Sequence, residues 1–103
     1  MPYTFHSDPG HGWLEVPKAD VAALGVLAAI SGYSYVSKDG RTLYLEEDCD
    51  LTAFADAYVA KHGKPFIDWR SVYYDNDAPC RSLRHWTTQR RGFGQRASLD
   101  GEA

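Results

Sequence analysis

The chain has 103 residues, 44% of them hydrophobic and 24% charged, and no run of apolar residues long enough to cross a membrane as a helix. This balance is that of one folded domain and excludes general disorder. A net charge of −3 hides an asymmetry: residues 1–78 carry six Lys/Arg against twelve Asp/Glu, a net of −6, and residues 79–103 carry five Arg against two acids, a net of +3. The expected organisation is therefore a compact domain over residues 1–79 and a basic tail over residues 80–103, either extended for interaction or folded back onto the acidic body.

Tyr3-Thr4-Phe5-His6 alternates apolar and polar residues and predicts a strand. Asp8-Pro9-Gly10-His11-Gly12 predicts a turn, and Trp13-Leu14-Glu15-Val16 the returning strand. Pro17 suits the first position of a helix over Lys18 to Leu24, with Gly25 as its stop. Tyr33 to Ser37 and Arg41 to Leu45 flank Lys38-Asp39-Gly40, a hairpin signal. Tyr33 and Tyr35 are expected to share a face with Leu43 and Leu45. The clearest element is a second helix, with Asp50 as N-cap and Gly63 as its close. Its residues Leu51, Phe54, Ala55, Tyr58 and Val59 carry the spacing of one buried face. Phe66, Ile67, Trp69, Val72 and Tyr73 predict a fifth strand, and Asp75-Asn76-Asp77-Ala78-Pro79 a turn, after which the periodicity fades. The expected fold class is α+β: a mainly antiparallel sheet in ββαββαβ order, with two helices packed on one face.

The densest chemistry is Glu46-Glu47-Asp48-Cys49-Asp50. Helix capping and the helix dipole account for some of these carboxylates. The mutual repulsion of the rest is unfavourable unless solvent, a cation or a basic partner screens it. A second candidate is the His6, Asp8, His11 turn, two imidazoles and a carboxylate that could hold a divalent metal with help from Asp48 or Asp50. Its spacing matches no strong zinc pattern, and solvated histidines beside an Asx turn are the competing reading. A third is the tail, where Arg81, Arg84, Arg90 and Arg91 suit phosphate contacts, although an overall acidic chain opposes nucleic-acid binding. Aromatic residues contribute 14% of the chain. Tyr33, Tyr35, Tyr58 and Trp69 are expected in the core, and Tyr44 and Tyr74 at the surface. The two cysteines, Cys49 and Cys80, are expected as free thiols in a reducing cytoplasm, since no secretory signal is visible. Neither sits in a recognisable nucleophile motif, and no cofactor motif is present.

Residues 3–77 resemble small proteins of unknown function encoded by bacteriophages and other mobile elements. The resemblance rests on Tyr3 to Val16, Ile30 to Tyr35 and Tyr44 to Asp50. It implies a bacterial cytoplasm and an accessory role between phage and host, by analogy with short acidic phage proteins that block a host machine. It carries over no catalytic residue. The expected function is a non-enzymatic protein that binds a basic host surface, such as a CRISPR-type effector. Glu46, Glu47, Asp48, Asp50, Asp75 and Asp77 would supply the charge, and Tyr44 or Trp13 the apolar anchor. The alternatives are a metal-binding domain or metal-dependent hydrolase using His6, Asp8 and His11, and a nucleic-acid binder using the tail.

Overall fold

The structure, a computed structural model, describes residues 3–66 and 68–87. Its elements run β1 (Tyr3–Ser7), β2 (Gly12–Pro17), α1 (Lys18–Ala23), β3 (Tyr35–Val36), β4 (Thr42–Glu46), α2 (Asp50–His62), β5 (Trp69–Tyr73) and β6 (Arg84–His85). Short 3-10 turns occupy Leu27–Ala29 and Pro79–Ser82.

The fold is α+β, and its sheet is mixed, with strands in the order β5-β1-β2-β4-β3-β6. Neighbours are antiparallel throughout except for β5, which runs parallel to β1. The antiparallel expectation fails at that pair for a topological reason. The chain leaves β4, crosses through α2 and enters at the far edge, and a connection of helix length leaves strand direction free. β6 extends the expected element order.

Register makes the core. Phe5 faces Leu14, Leu14 faces Leu45, and Val16 faces Leu43, which also faces Val36. Val21 of α1 and Phe54 of α2 are buried in the same cluster, so both helices cover this one face. Phe54 is fully buried, with the Tyr3 ring edge-on at 5.6 Å and Phe66 at 5.8 Å. The rest of α2 is less covered than its spacing predicts. Leu51, Ala55 and Tyr58 are partly buried, and Val59 is exposed. The cover over this part of the helix is the ring cluster of Tyr3, Tyr58 and Phe66, and Val59 lies outside it.

Three local expectations change. Tyr35 pairs with Tyr44, and Val36 with Leu43, so Tyr35 lies on the face opposite the leucines. A shift of one residue in register moves a side chain across the sheet. Pro17 ends β2 and is the N-cap of α1 rather than its first residue. The N-cap of α2 is Cys49, with no side-chain cap bond, because the Asp50 carboxylate is used elsewhere. It is buried and accepts the Ser31 N–H at 3.0 Å, the Ser31 hydroxyl at 2.7 Å and the Ser34 hydroxyl at 2.5 Å. Asp50 thus ties the 31–34 loop to the start of α2. Gly63 closes the helix as expected, at φ +78°.

The opposite face carries Thr4, His6, Trp13, Glu15, Tyr35, Tyr44 and Glu46, the alternate residues of the same strands. The chain after β5 crosses it and buries Ala78 and Cys80 against Trp13 and Tyr35. Residues 80–87, the start of the tail expected to be either extended or folded back onto the body, are built into the fold. His85 pairs with Tyr35, and the Trp86 N–H reaches the Ser34 carbonyl at 2.8 Å. The remaining tail, with Arg90 and Arg91, lies outside the described residues.

Truncation should separate the two kinds of α2 residue. Phe54→Ala is expected to lower the free energy of unfolding by about 3–5 kcal/mol. Val59→Ser, already in solvent, should change it by less than about 0.5 kcal/mol. Urea denaturation of both variants measures the difference.

Candidate functional site

The β1–β2 turn is built by one side chain. Asp8 is buried, and its Oδ1 accepts the N–H groups of Gly10 at 2.9 Å and His11 at 3.0 Å, an Asx-type turn. The same carboxylate accepts the Ala78 N–H at 2.8 Å. It also accepts the Arg81 guanidinium twice, from Nε at 2.6 Å and Nη2 at 3.0 Å. The paired Arg81 guanidinium holds the Asp8 carboxyl well below the usual carboxylate range, against the opposing effect of burial. Arg81, so fixed, lies over the Trp13 ring with its guanidinium carbon 4.8 Å from the ring centre.

Above Trp13 the surface opens into a pocket of about 400 Å³. Trp13, Tyr33, Tyr35 and His85 supply aromatic walls, and His11, Glu46, Asp48 and Arg81 the polar groups. The rings pack on one another: Trp13 and Tyr35 are 5.9 Å apart, and Tyr35 and His85 4.6 Å. Glu46 is held by its Oε1, which accepts the N–H groups of Asp48 at 3.0 Å and Cys49 at 3.1 Å. Its Oε2 is 3.8 Å from His11 Nδ1. One donor atom each from His11, Glu46 and Asp48 lies within 4.8 Å of the others. Arg81 is neutralised by Asp8, so Glu46 and Asp48 give the pocket an excess of negative charge. Trp13 Nε1 is buried with no hydrogen-bond partner among the described residues.

The metal set expected from the turn is not assembled. His6 is engaged by other partners, with Nε2 2.7 Å from Glu15 Oε1 and Nδ1 2.9 Å from the Tyr74 hydroxyl. Asp8 is saturated by its own chain. Only His11 meets other donors, and they come from the acidic segment. That segment in turn does not form one outward patch. Asp50 is turned inward to the serines, Glu46 is buried, Glu47 is partly buried and Asp48 is exposed. Asp75 and Asp77 are exposed in the link after β5. Tyr44 is no protruding anchor: it is half-buried, 5.8 Å from His6, and burial raises its pKa. Among the tail arginines, Arg81 is committed to Asp8 and Arg84 is exposed on β6. Sequence reasoning missed Tyr33, His85 and Arg81 as pocket residues. The strand alternation of Trp13 and Glu15 against Leu14 and Val16 was the available signal for a second, polar face.

The surroundings of both thiols disfavour the thiolate. Burial and then the Asp8 charge push Cys80 up to about 12, and desolvation and the neighbouring carboxylates raise Cys49. Comparison with family models, curated proteins and solved structures finds no match to this chain.

Asp8 should leave a signature in acid. Its folded pKa lies below the ordinary value of 3.8, so the stability it contributes is complete above that pH and is lost as pH falls below it. Asp8→Asn should therefore lower the melting temperature at pH 7 and flatten its decline in acid. Melting curves from pH 7 down to about pH 3 test this. A variant whose stability falls as steeply as the parent's would remove Asp8 from this role.

Proposed function

We propose that this protein is a non-enzymatic binding protein whose pocket takes up a cationic side chain, an arginine or lysine, of a partner protein. The observation that carries the reading is the joint presence of aromatic walls (Trp13, Tyr33, Tyr35) and two carboxylates (Glu46, Asp48) around one opening. A guanidinium or ammonium group gains from both: the ring faces attract it, and the carboxylates accept its N–H groups. The partner surface is basic, as the acidic balance of the body favours for approach. A phage or mobile-element origin, the expectation for residues 3–77, would make that partner part of a bacterial nucleic-acid-handling complex, CRISPR-type effectors among them. Proteins of that kind carry Lys and Arg for phosphate contact.

The His11, Glu46 and Asp48 donors favour a second reading, a divalent cation in the same opening. One nitrogen and two oxygen donors suit a transition metal rather than calcium. The two readings separate by titration. A short peptide with a single arginine should shift the amide resonances of Trp13, Tyr35 and Asp48, and its norleucine counterpart should not. Asp48→Asn should weaken the arginine peptide about tenfold, the loss of one charge-assisted hydrogen bond. Equal shifts from both peptides would end the proposal. Zinc binding that blocks the arginine peptide would favour the metal reading instead.

A further inference from the structure

β5 is the last strand of its sheet, and only β1 pairs with it among the described residues. In a parallel pair, alternate residues of a strand turn both N–H and C=O to the neighbour, and the residues between turn both away. The Asp68 carbonyl accepts the Tyr3 N–H, and the Tyr74 N–H donates to the Ser7 carbonyl, so the even-numbered residues face β1. Trp69, Ser71 and Tyr73 therefore present their N–H and C=O groups outward, along an open edge. The same three residues share one side-chain face with their β1 partners Tyr3, Phe5 and Ser7, and the Trp69 ring lies 6.3 Å from Phe5. Two of them, Trp69 and Tyr73, are 50% and 62% exposed and, among the described residues, belong to the four large hydrophobic residues most open to solvent.

We propose that a second copy of this chain pairs with this edge, antiparallel and two-fold about Ser71, so that the two sheets become one. The strand is complementary to itself in this register. Ser71 faces Ser71 of the second copy, and Trp69 faces Tyr73 twice. All facing residues of this set point outward, so each outward N–H meets an outward C=O and none is left over. Moving the axis to Arg70 or Val72 leaves an end residue of the set without its counterpart. The centred register also stacks the two exposed rings as cross-strand aromatic pairs, the favoured sheet neighbours. Arg70 lies on the other face, where it donates to Thr4 of its own chain at 3.4 Å and needs no partner across the axis. A two-fold interface of this kind is closed, so association stops at the dimer.

Sedimentation equilibrium at concentrations on the order of 100 µM tests the proposal. The parent should approach twice the 11.5 kDa chain mass. Ser71→Pro removes an N–H that β1 does not use, so it should give the monomer mass with the melting temperature of the monomer preserved. Tyr73→Ser should weaken association about tenfold through the loss of both ring pairs. In a Cys49→Ser background, Ser71→Cys should form a disulfide-linked dimer on oxidation, since directly facing strand residues lie within disulfide reach, and Arg70→Cys should not. A parent that stays at the monomer mass, a folded Ser71→Pro variant that still dimerises, or equal cross-linking at both positions would overturn it.

Discussion

The Asp8 carboxylate is the group on which the polar half of this molecule depends. It closes the β1–β2 turn through Gly10 and His11, anchors the returning chain at Ala78, and fixes Arg81 over Trp13. These contacts join segments about seventy residues apart in sequence. Burying a carboxylate is costly unless its lone pairs are matched, and here backbone N–H groups and a forked guanidinium match them. Asp8 adds directional bonds to the apolar packing of Ala78, Cys80 and Leu83 and to the Tyr74 contacts with Ser7 and His6 that also hold the Tyr74 to Leu83 segment against the sheet. The space is also filled tightly: a methyl group at Gly10 would come within 2.8 Å of Arg81 Nη2, so glycine there lets the guanidinium approach the turn.

Asp50 does the same work at the other end. Its serine bonds hold the 31–34 loop, which carries Tyr33 into the pocket wall and passes Ser34 beneath β4, where its hydroxyl also accepts the Glu46 N–H at 3.0 Å. The two buried aspartates bracket the opening. Within the acidic cluster, folding has claimed Asp50, and Glu46 and Asp48 remain at the pocket. A negative cluster in sequence became, in three dimensions, a division between internal acceptors and a two-carboxylate rim.

This division explains what was legible in the amino-acid sequence. Period-two alternation in Tyr3 to His6 and Trp13 to Val16 marks strands because each has a leucine or phenylalanine stripe to bury. The α2 pattern marks a helix for the same reason, although Val59 shows that spacing alone does not set how much of a face is covered. The location of the pocket was not legible. It depends on Asp8 finding Arg81, a pairing between distant segments with no local periodicity. The arginines after Pro79 read as a tail by charge count, yet Arg81 is bound by a single acid in a turn. Asp50 read as a cap because aspartate at that position commonly caps. Two serines in a loop sixteen and nineteen residues earlier compete successfully for it.

The two faces of the sheet are thus specified by different physics, and this bears on where binding is located. The helix-covered face is held by apolar area, which tolerates substitution of similar volume. The other face is held by directional bonds, which admit one arrangement of the groups involved. A recognition pocket needs its walls fixed before the guest arrives, since ordering them on binding would subtract from affinity. The hydrogen-bonded face meets that need: Glu46 is oriented by two backbone N–H groups, and Trp13 packs against both Arg81 and Tyr35. These polar groups therefore have a role that apolar substitutes could not fill, which is to keep a small charged opening in one shape.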